Sequence, residues 1–297
     1  MTAHVLSGPD VAPGDDRPSA PAPRRPIFSP TNWLVWGVLA FFFVCLLGVI
    51  GMVVLDAFGT SWFTSWFPQS YTTHWFGDAW SEFGLGHVLY TTFQVAITVV
   101  VVSAVVGVPA AYALARRTFP GKKLVMLLFV LPILVPPMTY GISLATLLYK
   151  LHLAPSLKGV ILANLVPCVP FVILTMTPFI EQIDPKIEAA ARMCGASTRA
   201  MLLRVLTPLL VPGILAASIL VLVRTIGMFE LTFLTAGPTS QTLVVALYNS
   251  VFSAGIRTQQ SIDAMAVIYT GSMLVLLLIA LRFVNPTQLV TRMKEPT

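Results

Sequence analysis

The stretch EAAARMCGASTRAMLLRVLTP, residues 188–208, separates two apolar segments that are each long enough to cross a membrane. It is the one long charged interruption in the apolar second half of the chain. Apolar residues recur at helical spacing from Ile187 onward, which predicts a short amphipathic helix lying at a membrane surface. An interfacial helix without a partner would show the same pattern, so the function of this stretch depends on its surroundings.

The composition of the whole chain assigns it to the bilayer. Of its residues, 56% are hydrophobic and only 10% are charged, which is far more apolar than an average soluble domain. A helix needs about 20 apolar residues to cross the hydrocarbon core. The candidate spans of this length are residues 34–55, 88–115, 124–149, 159–180, 209–228 and 264–284. We therefore predict an all-α membrane protein with six transmembrane helices, because a helix satisfies its own backbone hydrogen bonds in lipid.

The positions of lysine and arginine predict the orientation of these spans. If the N-terminus lies in the cytoplasm, only Lys150, Lys158 and Arg257 fall outside and Arg224 lies within a span, while the other basic residues face the cytoplasm. This asymmetry follows the positive-inside rule and predicts that both termini are cytoplasmic. Residues 188–208 then face the cytoplasm as well. Because the net charge of +6 follows from this bias, we do not expect nucleic acid as a partner.

The N-terminal residues 1–30 are rich in proline and small polar residues and contain no apolar run. This composition predicts a disordered cytoplasmic tail. A cleavable signal would need an apolar stretch of about 7 to 15 residues close behind a basic start, and the tail has none.

The sequence contains no recognisable catalytic or metal-binding motif. Gly121-Lys122-Lys123 lacks the upstream glycine and the Ser or Thr of a phosphate-binding loop. The four histidines fall in the tail or the outer loops, at no spacing that suits a metal ion. We therefore expect a chain that is not an enzyme, with no catalytic residue, metal or cofactor of its own, and any ATP to be hydrolysed elsewhere.

The charged stretch resembles the EAA loop of permease subunits of binding-protein-dependent ABC importers. In the family pattern a Glu-Ala-Ala triplet precedes a glycine, and an apolar-x-Leu-Pro group follows it. Gly195 and Pro208 keep this spacing, whereas Glu188 lies one residue early and Thr207 replaces the leucine. The resemblance implies a loop at about residues 182–207 that couples to an ATPase. The implied coupling residues are Glu188, Ala189, Ala190, Ala191, Arg192, Gly195 and Ala196.

Two further segments resemble the same family. PAAYALARR, residues 109–117, with the basic turn after it, is similar to the end of the family's first core helix. LPILVPPMTYGISL, residues 131–144, is similar to the family's third helix. The resemblance covers roughly residues 90–286 and implies a type I ABC importer permease fold, a five-helix core plus an N-terminal helix. Residues 31–297 would then form the permease domain.

The resemblance also implies partners and a location. The partners are a second permease subunit of different sequence, two cytoplasmic ATPase subunits that use ATP and Mg²⁺, and an external solute-binding protein. The location is the inner, cytoplasmic membrane of a bacterium. The alternative is a secondary transporter or channel that works without an ATPase. That alternative predicts inverted repeats and midplane carboxylates, and neither is visible in the sequence.

The resemblance also implies a class of transported solute. LTFLTAGPTSQTLVVALYNSV, residues 231–251, resembles permeases of the polyamine and opine branch, and it contains a short outer helix at 243–251. The resemblance implies a polyamine-, opine- or amino-acid-like solute.

Charged residues at membrane depth are candidates for the solute path, because they are costly in lipid and usually face a bundle interior. The candidates are Arg224, Glu230 and Asp263. Glu230 would suit a polyamine and Arg224 an anionic or zwitterionic solute, and Arg224 could instead snorkel to the outer interface. Asp263 could instead support the start of the last span, as acids do near helix N-termini.

Overall fold

The computed structural model describes residues 30–60, 67–252 and 258–282. In these ranges the chain is helical, apart from connecting turns and one isolated β-bridge between Gly59 and Tyr71. The helices are α1 Pro30–Phe58, α2 His74–Glu82, α3 Leu85–Arg116, α4 Lys122–Leu134, α5 Pro137–Lys150, α6 Leu157–Glu181, α7 Pro185–Met193, α8 Thr198–Ala200, α9 Thr207–Ile226, α10 Glu230–Thr235, α11 Leu243–Phe252 and α12 Gln259–Arg282. A π-helical turn, Met201–Leu206, joins α8 to α9.

The predicted all-helical class is confirmed. Helices α1, α3, α6 and α12, and the continuous stretch Thr198–Ile226, are each long and apolar enough to cross a membrane. The short helix predicted at 243–251 is α11. Residues 1–29 of the predicted tail, and the part of the last predicted span after Arg282, lie outside the described residues.

Helix α1 is apolar around its whole circumference. The side chains of residues 33–50 are exposed without exception. This part of the helix belongs to a compact unit of its own, distinct from the unit Gly51–Thr297. A helix that is apolar on every face requires an apolar environment, and the hydrocarbon core of a membrane provides one.

The centre of the second unit is the contact between α3 and α6. Gly107 of α3 lets the two backbones approach closely, because a Cβ at this position would lie 2.7 Å from Cγ1 of Val172 on α6. Val99, Val172 and Met176 are buried in the same hydrophobic cluster. Small residues at such crossings are typical of membrane helices, which associate through close packing rather than through exclusion of water.

The third predicted span, 124–149, is wrong as a single helix. The chain forms α4 and α5, which meet at an angle of 97°. Val135 and Pro136 between them have extended backbone, with ψ of 132° at each. Pro136 disfavours helical geometry at Val135, and Pro137 disfavours it at Pro136, so two consecutive prolines end one helix and begin another. Helix α5 then packs against α10, where a Cβ on Gly141 would lie 2.9 Å from Cδ2 of Leu231.

Candidate functional site

The charged stretch forms a helix, a glycine turn and a second helix. Asp184 caps α7 by accepting a hydrogen bond from the Lys186 backbone N–H at 2.9 Å, and Pro185 occupies the first turn. The helix predicted from Ile187 is therefore confirmed, and it begins two residues earlier. Helix α7 ends at Met193, and Gly195 follows two residues later with a φ of +81°, the left-handed conformation that glycine adopts after helix ends without strain.

The chain resumes its helical path immediately after Gly195. The Ala196 N–H donates to the Ala191 carbonyl at 3.1 Å, and the Ser197 Oγ accepts from the Ala200 N–H at 3.3 Å. Helix α8 continues through the π-helical turn into α9. The helix-turn-helix from α7 to α8 thus leads directly into a membrane-length helix. We call the segment Pro185–Ala200 the coupling loop.

Glu188 fastens the coupling loop to the end of α3. Its carboxylate is 7% exposed and accepts two hydrogen bonds of 2.7 Å, one from the Tyr112 hydroxyl and one from Arg116 Nε. Arg116 also donates through Nη2 to the Ile183 carbonyl at 2.7 Å. Charge-assisted bonds of this length are among the stronger ones in proteins, so α7 is held firmly against α3.

The other predicted coupling residues divide between two faces of the loop. Ala191 and Ala196 are half-buried and pack against the hydrophobic core. The outward-facing residues are Ala189, Ala190, Arg192 and Gly195. Two apolar side chains share this exposure, Ile187 at 40% and Met193 at 85%.

A cleft of about 820 Å³ lies between the end of α3 and α7. Three of its lining residues are arginines, Arg116, Arg117 and Arg192. Arg116 is the one of the three that is bonded to Glu188. Sequence reasoning missed Tyr112 and Arg116 as members of this site. The sequence offered one signal for this pairing, namely that Glu188 is the one acid of the loop and that Arg116 and Arg117 follow directly after a predicted span.

The predicted solute-path residues separate into two groups. Arg224 lies in the last turn of α9, with its guanidinium carbon 5.9 Å from the centre of the Phe171 ring. Glu230 begins α10, beyond the break at Gly227. Tyr140 of α5 packs against the buried cluster that contains Met228 and Leu231, so it lies beside the segment that joins α9 to α10.

Asp263 lines a different cavity. It accepts a hydrogen bond from Gln259 Nε2 at 3.3 Å, and a cavity of about 350 Å³ is lined by both residues together with Asp56. Asp263 also shares a hydrogen bond with Asp56. The structure thus joins Asp263 to the C-terminal end of α1 and not to Arg224 and Glu230.

Two buried polar residues of α6 contact α9 and α10, and they were not singled out from the sequence. Asn164 is fully buried and donates through Nδ2 to Thr232 Oγ1 of α10 at 3.2 Å. Cys168 Sγ lies 3.7 Å from Thr225 Oγ1, next to Arg224 in the chain. We call Tyr140, Asn164, Cys168, Arg224 and Thr232 the polar core.

A comparison with known protein families finds a match that covers more than half of the chain. Residues 103–289 match a family model described as "Binding-protein-dependent transport system inner membrane component". The matched region contains α4 to α12 and most of the residues of both sites. It begins near the middle of α3.

Curated relatives share about a third of their aligned residues with this chain. A "Probable molybdenum ABC transporter permease protein" of Haloferax volcanii is 35% identical over 52% of this chain and 60% of its own length. The molybdenum transport system permease protein of Haemophilus influenzae is 30% identical over 57% of this chain and 80% of its own length. A trehalose transport system permease protein of Mycobacterium tuberculosis is 32% identical over 64% of this chain and 70% of its own length.

One solved structure has the same fold over nearly the whole chain. A bacterial ABC transporter involved in the import of the acidic polysaccharide alginate contains a chain that superposes with a TM-score of 0.72. The match covers 88% of this chain and all of the other, at 16% sequence identity. This likeness shows the fold alone, which is the membrane-subunit fold of type I ABC importers.

Proposed function

The chain belongs to the family of binding-protein-dependent transport system inner membrane components, and from this premise we propose that its coupling loop is the surface that a cytoplasmic ATPase contacts. The chain itself would form part of the path for a solute. One observation carries the proposal, namely that the loop is fastened on its inner face through Glu188 while its outer face exposes Ile187 and Met193.

The exposed apolar pair supports a docking role for the loop. Met193 is 85% exposed at the end of a helix whose other side chains are mostly polar or small. Methionine adapts its shape to a partner, and it is frequent at protein-binding surfaces. The neighbouring exposed alanines leave room for a partner's side chains to approach the helix backbone. A helix in a groove of the ATPase would fit this pattern.

The Glu188 contacts suggest how a movement of the loop would reach the membrane. If the ATPase moved α7, the bonds to Tyr112 and Arg116 would carry α3 with it. Helix α3 packs along α6 through Gly107, and α8 continues into α9. The three membrane helices would therefore respond together, opening the solute path to one side of the membrane or the other.

The partners follow from the same proposal. We infer a second permease subunit, two ATPase subunits that use ATP and Mg²⁺, and an external binding protein. The alginate transporter, which has this fold, has been solved in complex with a periplasmic protein that carries an alginate pentasaccharide. Both termini and the coupling loop would lie in the cytoplasm, as the distribution of basic residues predicts.

The predicted polyamine or opine solute is not supported by the comparisons. The relatives described above are named for molybdenum and trehalose, and another, from Thermococcus kodakarensis, is named for molybdate and tungstate. We propose a small polar solute of the size of an oxyanion or a sugar derivative. The family match argues against the alternative of a secondary transporter that works without an ATPase.

Affinity purification tests the importer proposal. The chain is tagged, expressed with the genes that neighbour it, and purified from membranes in mild detergent. We expect an ATPase to copurify, and replacement of Met193 by Asp to release it, because a charge would enter the apolar docking face. Lys150→Asp is the matched control, since Lys150 is exposed on a different helix. Recovery of an active transporter without any ATPase would instead support a secondary transporter.

A further inference from the structure

Three buried polar atoms of the polar core lack a hydrogen-bond partner among the described residues. They are the Tyr140 hydroxyl on α5, Asn164 Oδ1 on α6 and Arg224 Nε on α9. Each unpaired buried group costs about 1 to 3 kcal/mol in a protein interior, and the cost rises in a membrane, where water is scarce. Three such atoms in one region indicate a site that pairs with something the chain itself does not provide.

Contacts across four helices bring these residues together. Asn164 reaches α10 through Thr232, and Cys168, one helical turn further along α6, touches Thr225 of α9. Arg224 lies over the ring of Phe171, which is a further turn along the same face of α6. Tyr140 packs against the buried cluster that contains Ala163 and Leu231, the neighbours of Asn164 and Thr232. The sharp break between α4 and α5 is what brings Tyr140 to this place.

The charge of the site is decided by Arg224. Its guanidinium is permanently charged, and it forms no ion pair with any residue that the structure describes. The Phe171 ring stabilises the guanidinium through a cation–π contact. A positive site at membrane depth with an unpaired Nε–H donor favours an anionic group as its ligand.

We propose that Tyr140, Asn164 and Arg224 form a binding site in the solute path for an anionic group, either a carboxylate or a tetrahedral oxyanion. Arg224 and the Tyr140 hydroxyl would donate to the oxygens of this group, and Asn164 Oδ1 would accept from a hydroxyl of the solute or of a protonated oxyanion. This inference rests on the proposed function, because a solute path exists only in a transport subunit.

Uptake by the whole transporter tests this site. The complex of both permeases, the ATPases and the binding protein is reconstituted in liposomes and offered radiolabelled molybdate, sulfate, phosphate or glucuronate. Neutral trehalose and cationic spermidine are the comparison solutes. We expect ATP-dependent uptake of at least one anion and of neither comparison solute. An ATPase-active complex that transports none of the anions overturns the anionic site and leaves the importer proposal intact. Failure of any ATPase to copurify overturns the importer proposal itself.

Tyr140→Phe and Arg224→Gln then test the residues. The Tyr140 hydroxyl has no partner among the described residues, so its removal leaves folding unharmed and affects uptake only through the solute. We expect Arg224→Gln to lower anion uptake at least about tenfold, because it removes the charge that pairs with the solute. Tyr140→Phe should lower it by a smaller factor, while ATPase activity stimulated by the binding protein persists in both variants.

Two further variants separate this site from a structural role of Arg224. Lys150→Gln removes an exposed charge at the end of α5 and should leave uptake unchanged. Glu230→Gln should leave anion uptake within about twofold, because the carboxylate is not a ligand in this site. Wild-type uptake in Arg224→Gln or Tyr140→Phe would overturn the assignment. Loss of uptake in Glu230→Gln but not in Arg224→Gln would indicate a cationic solute instead.

Discussion

At the scale of single residues, the buried carboxylate of Glu188 decides how firmly the coupling loop is attached. Replacing it by Gln leaves Arg116 buried beside a neutral group. Removing one partner of a buried charge pair costs about 3 to 5 kcal/mol, which is enough to free α7 from α3. We expect Glu188→Gln to assemble with the ATPase but to lose most of the ATPase stimulation that the binding protein produces, measured in proteoliposomes.

Glu181→Gln is the matched control for this prediction. Glu181 Oε1 also faces a basic group, Lys122 Nζ at 3.7 Å, but its side chain is 48% exposed. Exposed pairs contribute about 0 to 1 kcal/mol, so this variant should behave like the wild type. Equal losses in both variants, or none in Glu188→Gln, would refute a coupling role for the contact with α3.

The sequence predicted the helix that contains Glu188 but could not supply the partners of its carboxylate. The cap at Asp184 and the helical spacing after it are local, so α7 was predictable within two residues. Tyr112 and Arg116 lie 76 and 72 residues away from Glu188, and no local pattern connects positions that far apart. For the same reason the three unpaired atoms of the polar core became visible only once four helices were assembled, although Arg224 was recognisable by its charge alone.

Two substitutions at Gly195 distinguish the effect of backbone strain in the turn from the effect of a charge added to the docking surface. A Cβ at Gly195 would meet no atom within 4 Å, so Ala and Asp both fit. The left-handed conformation destabilises the folded protein by about 1 to 2 kcal/mol in either variant. Only Asp adds a negative charge to the exposed face. We expect Gly195→Asp to abolish ATP-dependent uptake with normal membrane insertion, and Gly195→Ala to retain uptake. Normal uptake by the Asp variant would contradict docking at this turn.

At the scale of helices, the third predicted span shows where hydropathy stops being informative. Residues 124–149 are apolar enough to cross the membrane, and the sequence analysis predicted a single span there. The pair Pro136-Pro137 fixes extended backbone at two successive positions, which ends the helix instead of bending it. The direction of α5 after the break is set by its contact with α10 through Gly141, and that contact is tertiary.

The contact between α3 and α6 yields a prediction at the same scale. Ala at Gly107 would place its Cβ 2.7 Å from Val172 Cγ1 and push the helices apart. Overpacking of this kind costs about 1 to 3 kcal/mol. We expect Gly107→Ala to lower the thermal unfolding midpoint of the purified subunit in detergent by several degrees.

Gly271 provides the control for Gly107. It lies within α12, is exposed, and has no atom within 4 Å of an added Cβ. Ala replaces Gly in a helix in both variants and gains the same intrinsic propensity, about 1 kcal/mol. The difference between the thermal unfolding midpoints of the two variants therefore measures the destabilisation caused at the α3–α6 contact. A Gly107→Ala variant as stable as Gly271→Ala would show that the helices can separate without loss.

At the scale of the whole molecule, the exposed surface is too apolar for water. Exposed large side chains recur along α1, α4 and α12, among them Phe41, Leu128 and Leu278. Monomeric soluble proteins rarely expose patches of this extent. Lipid and a second permease subunit are the two surroundings that would cover them. The coupling loop is the contrasting region, where charged residues and exposed apolar residues lie side by side, as expected at a surface that binds a soluble partner.

The orientation of the whole chain can be tested with its own cysteines. Cys194 is exposed in the coupling loop, Cys168 is buried, and Cys45 is exposed on the apolar helix α1. With Cys45 and Cys168 replaced by Ala, we expect a membrane-impermeant maleimide to label Cys194 in inside-out vesicles and not in intact cells. Ser81→Cys, in a chain that also lacks Cys194, is the outward-facing reference and should show the opposite pattern.

The same label reports on docking, because a bound ATPase would cover Cys194. Vesicles that contain the chain without its ATPase should therefore react faster than vesicles that contain both, whereas labelling of a cysteine at Lys150 in intact cells should not change with the ATPase. Labelling of Cys194 from outside intact cells would invert the topology and remove the coupling loop from the compartment that contains ATP. Equal labelling rates with and without the ATPase would keep the topology but place the ATPase contact away from the α7–Gly195 turn.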